Sequence, residues 1–273
     1  MYKEPCAESS EPDSIYDEVR KSLTVADIGA QTEEQEAARY KFYDSPLHSF
    51  DSSFAGTFPE KMHTISEYLE QFYKEKDGTL VGMELGGQGC NLFGPKGLEK
   101  YFGKTVAFSL TKDSEKNTLS IPKNHELIRA DVFHKRKKED YSGTEQPSYR
   151  TVERWVEQNG KVDIIFERMG LGKAGLTEKH FLQILKRWYE LLSPEGTMFI
   201  ELPSYLYYPL NPTAISKQSF DSLREFLEKN KRFFDYSIDP AQREGENDYI
   251  RLRKLPGAPD SLDGLIKQDE RLD

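Results

Sequence analysis

Two hydrophobic spacings alternate along this chain, one typical of strands and the other typical of helices. Short apolar and β-branched runs predict seven strands, over residues 80–84, 105–110, 126–132, 162–166, 197–202, 233–238 and 249–253. Apolar residues at every third or fourth position predict four helices, one between Thr64 and Gly78 and the others over residues 149–158, 177–192 and 219–229. Thr64 and Glu67 form a capping-box pattern at the start of the first of these helices.

The order of these elements predicts the fold class. Strands that are joined by helices usually lie parallel in one sheet with helices on both faces. The last two predicted strands are joined by the polar residues 239–248, which contain Pro240 and Gly245, and they therefore form an antiparallel hairpin. We predict an α/β fold with a doubly wound, seven-stranded and mostly parallel sheet that ends in an antiparallel hairpin.

Composition divides the chain into three parts. Residues 1–57 are acidic and poor in aliphatic side chains, which predicts a partly disordered extension with one helix over residues 33–43. Residues 58–254 are predicted to form a single Rossmann-like domain, and a domain of about 200 residues can bury a sizeable core. Residues 255–273 are predicted to form a tail with a loop and a short surface helix.

Charge and cysteine content exclude several classes of protein. The chain carries a net charge of −9 over 273 residues, and this acidic balance disfavours binding to nucleic acid. We interpret the single basic run, residues 134–138, as a solvated loop. Cys6 and Cys90 are the only cysteines, so we expect neither a disulfide framework nor a cysteine-rich zinc site.

The sequence also lacks the patterns of membrane helices, signal peptides and metal-binding sites. No apolar run approaches the roughly 18 residues of a membrane helix, and the first residues do not resemble a signal peptide. We therefore expect a cytoplasmic protein with no membrane partner. The histidines lack the spacing of metal ligands, which predicts no metal site. The oligomeric state is not indicated by the sequence.

The most informative segment follows the first predicted strand. An apolar run ends on Glu84, and Gly86, Gly87 and Gly89 come directly after it. Glycines allow a tight turn and a close approach of the backbone to a ligand, as in nucleotide-binding α/β proteins. The segment therefore predicts a ligand-binding turn, although Glu84 could also simply cap the end of a strand.

Four segments, taken in order, resemble motifs of the class I S-adenosylmethionine-dependent methyltransferases. They are residues 84–89 (Glu-Leu-Gly-Gly-Gln-Gly), 130–133 (Ala-Asp-Val-Phe), 163–167 (Asp-Ile-Ile-Phe-Glu) and 191–197 (Leu-Leu-Ser-Pro-Glu-Gly-Thr). The resemblance extends over about residues 60–254. It implies the strand order 3-2-1-4-5-7-6, in which an antiparallel seventh strand lies beside the sixth.

The resemblance also implies a set of residues that bind S-adenosylmethionine. Gly86 would lie against the aminoacyl part of the cofactor, and Glu84 would anchor the turn or the ammonium group. Asp131 would accept a hydrogen bond from the adenine amino group, since that group can only donate there. Val132 would pack on the adenine ring. Gly87 and Gly89 would complete the turn, and Ser109 stands where the family places its ribose-binding segment.

A reaction centre is expected near the ends of the fourth and fifth strands. Glu167 and Arg168 follow the fourth strand, although adjacent opposite charges at a surface often do little. Tyr205 lies among three tyrosines after the fifth strand, where this fold usually admits the acceptor, but packing beneath a loop is the default for such rings. We predict Glu167, Arg168 and Tyr205 as catalytic candidates.

Three functional hypotheses follow. The first is an S-adenosylmethionine-dependent methyltransferase that acts on an unidentified small molecule or protein side chain. The second is a catalytically degenerate relative that serves as an interaction scaffold, because Gln88 and Cys90 replace two glycines of the motif and the ribose-binding acid is missing. The third, a nicotinamide dehydrogenase, is disfavoured because the segment lacks a Gly-x-Gly-x-x-Gly register.

Overall fold

The computed structural model describes most of the predicted domain together with flanking segments. The described residues are 47–76, 78–87, 92–94, 98–109, 124–129, 152–167, 178–203, 217–240 and 247–269. The predicted helix over residues 33–43 lies outside them.

Six α-helices occur within these ranges, together with two short 3-10 turns at Ala55–Thr57 and Glu99–Tyr101. The helices are α1 (Leu47–Phe54), α2 (Ile65–Lys76), α3 (Val152–Asn159), α4 (Glu178–Leu191), α5 (Lys217–Lys229) and α6 (Asp263–Asp269). The strands are β1 (Leu80–Leu85), β2 (Phe102–Ser109), β3 (His125–Arg129), β4 (Val162–Glu167), β5 (Leu192–Pro203), β6 (Phe234–Asp239) and β7 (Asn247–Lys254).

The seven strands form one sheet in the order β3-β2-β1-β4-β5-β7-β6. The first five strands are mutually parallel, whereas β7 is antiparallel to both β5 and β6. The predicted fold class and strand order are therefore confirmed. The carboxyl ends of β1 to β5 meet along one edge of the sheet, which we call the carboxyl edge; the opposite side is the amino edge.

One face of the sheet is mainly aliphatic and is covered by α3, α4, α5 and α6. Its buried side chains include Met83 and Leu85 of β1 together with Trp155 of α3 and Trp188 of α4. Burial of one such apolar side chain contributes roughly 1.5 to 3 kcal/mol. These contacts fix the helices that follow β3, β4 and β5, which is the packing expected of a doubly wound sheet.

The other face is rich in aromatic side chains and is covered by α1 and α2. This aromatic cluster comprises Phe50, Phe54, Phe58, Ile65, Tyr68, Leu69, Phe72, Leu80, Leu92, Phe93, Leu98, Tyr101, Phe102, Ile164, Phe166 and Phe199. In the part of the β1–β2 connection that the structure describes, the regular structure is the 3-10 turn Glu99–Tyr101. The helices that precede β1 therefore supply much of the cover for this face.

The start of α2 shows the predicted capping box. The Glu67 N–H donates to Thr64 Oγ1 at 3.2 Å, while Glu67 Oε2 accepts from the N–H groups of His63 at 2.6 Å and Thr64 at 3.1 Å. The hydrogen bond from the His63 N–H is the main reason that the pKa of Glu67 is lowered. The side chains of Ile65, Tyr68, Leu69 and Phe72 are buried, as their helical spacing predicts.

Several boundaries differ from the sequence prediction. The strand β2 begins at Phe102 rather than at residue 105, and β3 begins at His125, whereas residues 130–132 of the third predicted strand lie outside the described residues. The predicted turn over residues 193–196 lies within the bounds of β5, as a register irregularity between the pairs Val162–Leu192 and Ile164–Thr197. Glu195 has a φ of +60° there, which is unusual for a residue other than glycine.

The first and last described helices, α1 and α6, bury more apolar side chains than the composition of their segments suggests. Phe50 and Phe54 are each only 1% exposed, although they lie in the predicted extension of residues 1–57. Leu262 and Leu265 join the aliphatic core, so the predicted tail helix rests on that core. The two boundaries between the three predicted parts remain predictions. None of the helices described is both long and apolar enough to cross a membrane.

Candidate functional site

The glycine turn begins where β1 ends, at the carboxyl edge. Gly86 has a φ of +90°, a left-handed conformation that is strained for any residue with a Cβ atom. The N–H of Gly86 donates to the carbonyl of Phe108 at 2.9 Å. The turn is therefore held beside the end of β2, and its sharp bend requires glycine.

Glu84 lies directly beneath this turn. Its side chain is only 2% exposed, although it is a carboxylate near the end of a strand. A Cβ atom at Gly87 would lie 2.2 Å from Glu84 Oε1, so the carboxyl group occupies the space that a side chain at position 87 would need. Glu84 and Gly87 therefore depend on each other, and this dependence explains the adjacency of an acid and glycines in the sequence.

Two further predicted positions can be placed through the backbone. Ser109 ends β2, and its neighbour Phe108 accepts the hydrogen bond from Gly86. Ser109 pairs with Arg129, the last residue of β3. The ends of β1, β2 and β3 thus lie side by side, which is the arrangement required for one ligand to contact all three.

The sheet register separates the two carboxylates that were predicted at this edge. Glu84 pairs with Phe166, whereas Glu167 pairs with Leu85. Because paired residues of parallel strands project from the same face, Glu84 lies on the aromatic face and Glu167 on the aliphatic face. Glu167 is also fully buried. The structure therefore does not bring the two carboxylates together.

Five of the predicted site residues lie outside the residues that the structure describes. They are Gly89, Asp131, Val132, Arg168 and Tyr205. Their proposed roles therefore remain predictions. Within the described ranges, no three histidine, cysteine or acidic side chains are grouped as metal ligands would be.

Aromatic rings lie in the same row as Glu84 on its face of the sheet, and they were not among the predicted site residues. Phe166 and Phe199 occupy the same row as Glu84 on β4 and β5, and their rings stack with centroids 5.5 Å apart. Phe50 of α1 contacts both rings, at 5.1 and 5.8 Å. The i, i+4 spacing of Phe50 and Phe54 was the available signal for this helix.

A buried polar contact fixes the segment between α1 and α2. The Arg251 Nε–H donates to the carbonyl of Thr57 at 2.8 Å, and its two terminal nitrogens donate to the Asp235 carboxylate at 2.7 and 3.2 Å. Arg251 is only 3% exposed. A carboxylate and a carbonyl therefore balance this buried cation, and they link the start of the domain to the terminal hairpin.

Asp163 belongs to the motif at the fourth strand. It lies at the amino edge of the sheet, opposite the edge that contains the glycine turn. Its Oδ2 accepts from the N–H of Val81 at 2.9 Å, and its Oδ1 accepts from Ser193 Oγ at 2.6 Å. Lys76 Nζ lies 3.3 Å from the same Oδ1. These contacts join β1, β4, β5 and the end of α2, so the role of Asp163 is structural.

Comparison with solved structures identifies the fold. No protein-family model matches the chain, and no curated protein is similar to it in sequence. The plantazolicin methyltransferase BpumL in complex with S-adenosylhomocysteine (SAH) superposes with a TM-score of 0.53 at 14% identity. That match covers 89% of this chain and 98% of the other.

Two further structures of BpumL give similar values. The complex with a pentazolic desmethylPZN analog and SAH has a TM-score of 0.53 at 12% identity and covers 89% of this chain and 99% of the other. The complex with a monoazolic analog has a TM-score of 0.51 at 12% identity and covers 88% and 96%. The chain therefore has the fold of class I methyltransferases, as its motifs predicted.

Proposed function

We propose that this protein is an S-adenosylmethionine-dependent methyltransferase that acts on an unidentified small molecule or protein side chain. The observation that carries the proposal is the left-handed turn at Gly86, beneath which the carboxyl group of Glu84 lies against Gly87. This turn stands at the carboxyl end of the first strand, where open α/β sheets bind their ligands.

The residues at the turn suit an adenosyl cofactor. Gly86 and Gly87 present backbone without a Cβ atom, so an aminoacyl chain could approach closely there. The buried carboxyl group of Glu84 would anchor the turn, or the ammonium group through the main chain or a water molecule. Ser109 would lie near the ribose, and Asp131 and Val132 would hold the adenine. Gly89 would close the turn.

Methyl transfer asks little acid–base chemistry of the protein. When bound, S-adenosylmethionine supplies an electrophilic methyl group together with its own leaving group. The chain has to orient the acceptor in line with that methyl group and exclude water. We assign this role to the segments after β4 and β5, which contain Arg168 and Tyr205. Because Glu167 is fully buried, we propose that it positions the end of β4 and does not contact the acceptor.

Isothermal titration with S-adenosylmethionine and SAH tests the proposal. We expect heat of binding and a rise in melting temperature with at least one of the two. No heat and no thermal shift with either would refute the enzyme hypothesis. The catalytically degenerate scaffold, which Gln88 and Cys90 continue to favour, would then account for the fold.

A pair of matched glycine variants identifies the site. Gly86→Arg should abolish binding of SAH while the protein remains folded. Gly160→Arg is the control, because Gly160 has almost the same φ, +89°, and a Cβ atom there would meet nothing within 4 Å. Both variants place a side chain at nearly the same positive φ, so loss of binding in both, or in neither, would contradict the assignment. Asp131→Ala should weaken binding of SAH through the adenine.

A further inference from the structure

Helix α1 contacts the sheet directly beside the candidate cofactor site. Phe50 packs edge-on against Phe166, with ring centroids 5.1 Å apart and an interplanar angle of 83°. Phe166 is the β4 residue that pairs with Glu84 across the sheet. The ring of Phe166 therefore contacts α1 and belongs to the same row as the buried Glu84.

The same Phe166 ring also contacts the segment that follows the glycine turn. Phe93 lies 5.9 Å from Phe166 and 5.1 Å from Phe102, and it is fully buried. A Cβ atom at Gly82 of β1 would lie 2.8 Å from Phe93 Cε1, so Phe93 also packs on the strand that leads into the turn. The rings Phe50, Phe166 and Phe93 form a continuous contact from α1 to the chain on the far side of the turn.

Helix α1 depends on tertiary contacts for its stability. It has only eight residues, and a helix of that length is marginal in water without tertiary contacts. Its docked state is fixed by the burial of Phe50 and Phe54 and by the bond from Arg251 to Thr57. Asp51 Oδ1 also accepts from the N–H of Ile65 at 2.7 Å, which ties α1 to the start of α2. Loss of these contacts would release the whole segment.

We propose that docking of α1 organises the glycine turn and is thereby coupled to cofactor binding, with Phe166 as the contact between Phe50 and Phe93. The coupling to the cofactor rests on the proposed function. Coupling between two sites is reciprocal, so a docked α1 raises the affinity for the cofactor, and the cofactor favours the docked α1 by the same factor. Helix α1 thus regulates the site as well as covering the aromatic face of the sheet.

Amide hydrogen exchange of the ligand-free protein tests the first part of the proposal, that docking of α1 organises the glycine turn. Phe50→Ala should accelerate exchange in peptides that cover residues 80–94 as well as in those that cover residues 47–58. Phe226→Ala is the matched control, because Phe226 is equally buried but lies on α5, against the other face. Faster exchange in residues 47–58 alone would overturn the proposal. Phe50→Leu, which keeps most of the apolar volume, serves the same purpose if the alanine variant fails to fold.

Titration with SAH tests the other half. Phe50→Ala should bind SAH about 5- to 10-fold more weakly than wild type, a factor typical of coupled sites. Saturating SAH should slow exchange in residues 47–58 of wild type. If SAH binds with unchanged affinity to Phe50→Ala, the coupling fails and the proposed function survives. If wild type does not bind SAH while the exchange effect persists, the proposed function fails and the link from α1 to the turn survives.

Discussion

The two edges of the sheet each contain a carboxylate on a central strand, but they hold it differently. At the amino edge, Asp163 accepts from Val81 and Ser193 and lies beside the Lys76 cation. At the carboxyl edge, Glu84 is buried against Gly87. Because Gly87 has no side chain, the carboxyl group of Glu84 fits beside it. The donors of Asp163 come from several elements, so this carboxylate joins those elements, whereas Glu84 lies beneath a glycine turn at the edge where open α/β sheets bind ligands.

The amino edge also contains a buried lysine that illustrates the same principle. Lys254 is 2% exposed, and its Nζ donates to the carbonyl of Leu192 at 3.0 Å and lies 4.0 Å from the centre of the Tyr189 ring. Burial lowers the pKa of Lys254 to about 8. The amino edge thus uses charge for internal contacts, and the comparison predicts that its variants change stability without changing ligand binding.

Among the variants that compare the two edges, Gly87→Val on the carboxyl edge should have the largest effect. The new side chain must displace the Glu84 carboxyl group, so we expect affinity for SAH to fall about 100-fold, which corresponds to roughly 2.7 kcal/mol. Isothermal titration measures this change. Gly264→Val is the control, since a Cβ atom at Gly264 meets nothing within 4 Å. Unchanged affinity in Gly87→Val would remove the distinction between the two edges.

Asp163→Asn should have the largest effect at the amino edge. The amide keeps one acceptor oxygen for two donors and loses the charge that faces Lys76, so the free energy of unfolding should fall by roughly 1 to 3 kcal/mol. Urea denaturation measures this loss, and the affinity of the folded protein for SAH should not change.

The control for Asp163→Asn is Asp221→Asn, which removes an exposed ion pair with Lys217 on α5. Exposed pairs of this kind contribute little. If Asp163→Asn weakened SAH binding of the folded protein and left stability intact, Asp163 would belong to the site rather than to the scaffold.

Lys254→Met should reveal a dependence of stability on pH. The folded pKa of about 8 lies below the ordinary value of 10.5, so between these values the unfolded chain binds a proton that the folded protein does not. Wild-type stability therefore gains from this group as the pH rises from 8 to 10.5, and the gain is absent below pH 8. The advantage of Lys254→Met over wild type should shrink by roughly 3 kcal/mol across that window.

Urea denaturation at pH 7.5 and at about pH 10.5 measures this difference, and the neutral amine can still donate to the Leu192 carbonyl at the higher pH. Lys217→Met, at an exposed position on α5, should show no comparable trend. An advantage of Lys254→Met that stays constant between the two pH values would show that Lys254 keeps an ordinary pKa in the folded protein.

The smallest expected effect is that of Thr64→Ala at the start of α2. Loss of the capping hydrogen bond should lower the free energy of unfolding by about 1 kcal/mol and leave SAH affinity unchanged. Thermal denaturation with calorimetry measures it. Ser66→Ala, two residues further on, should change stability by less than about 0.5 kcal/mol. Equal effects of the two substitutions on stability would show that Thr64 does not stabilise α2 as a cap.

Local pattern was sufficient to predict much of the fold. The apolar runs located the strands because a strand buried on both faces needs continuous hydrophobic residues. The capping box of α2 and the turn at Gly86 were also predictable, since each depends on residues within four positions of one another. The glycine turn of the candidate site is therefore predictable from the sequence without any tertiary contact.

Other features of the site could not be predicted in this way. The opposite faces of Glu84 and Glu167 follow from the register between β1 and β4, and a shift of one residue would reverse that arrangement. Phe50 and Phe54 lie in a segment whose acidic composition suggested disorder, and their burial depends on partners more than 100 residues away in β4 and β5.

By itself the sequence determined the kinds of element, their order and the need for glycine beside Glu84, because these properties arise from side-chain size and from spacing over a few residues. Only the tertiary structure decided which carboxylate faces the aromatic cluster, which one binds the internal donors of the amino edge, and where α1 docks. The physical reason is that hydrogen bonds and ring contacts between distant segments depend on how the strands are aligned, and the alignment is fixed when the whole core packs.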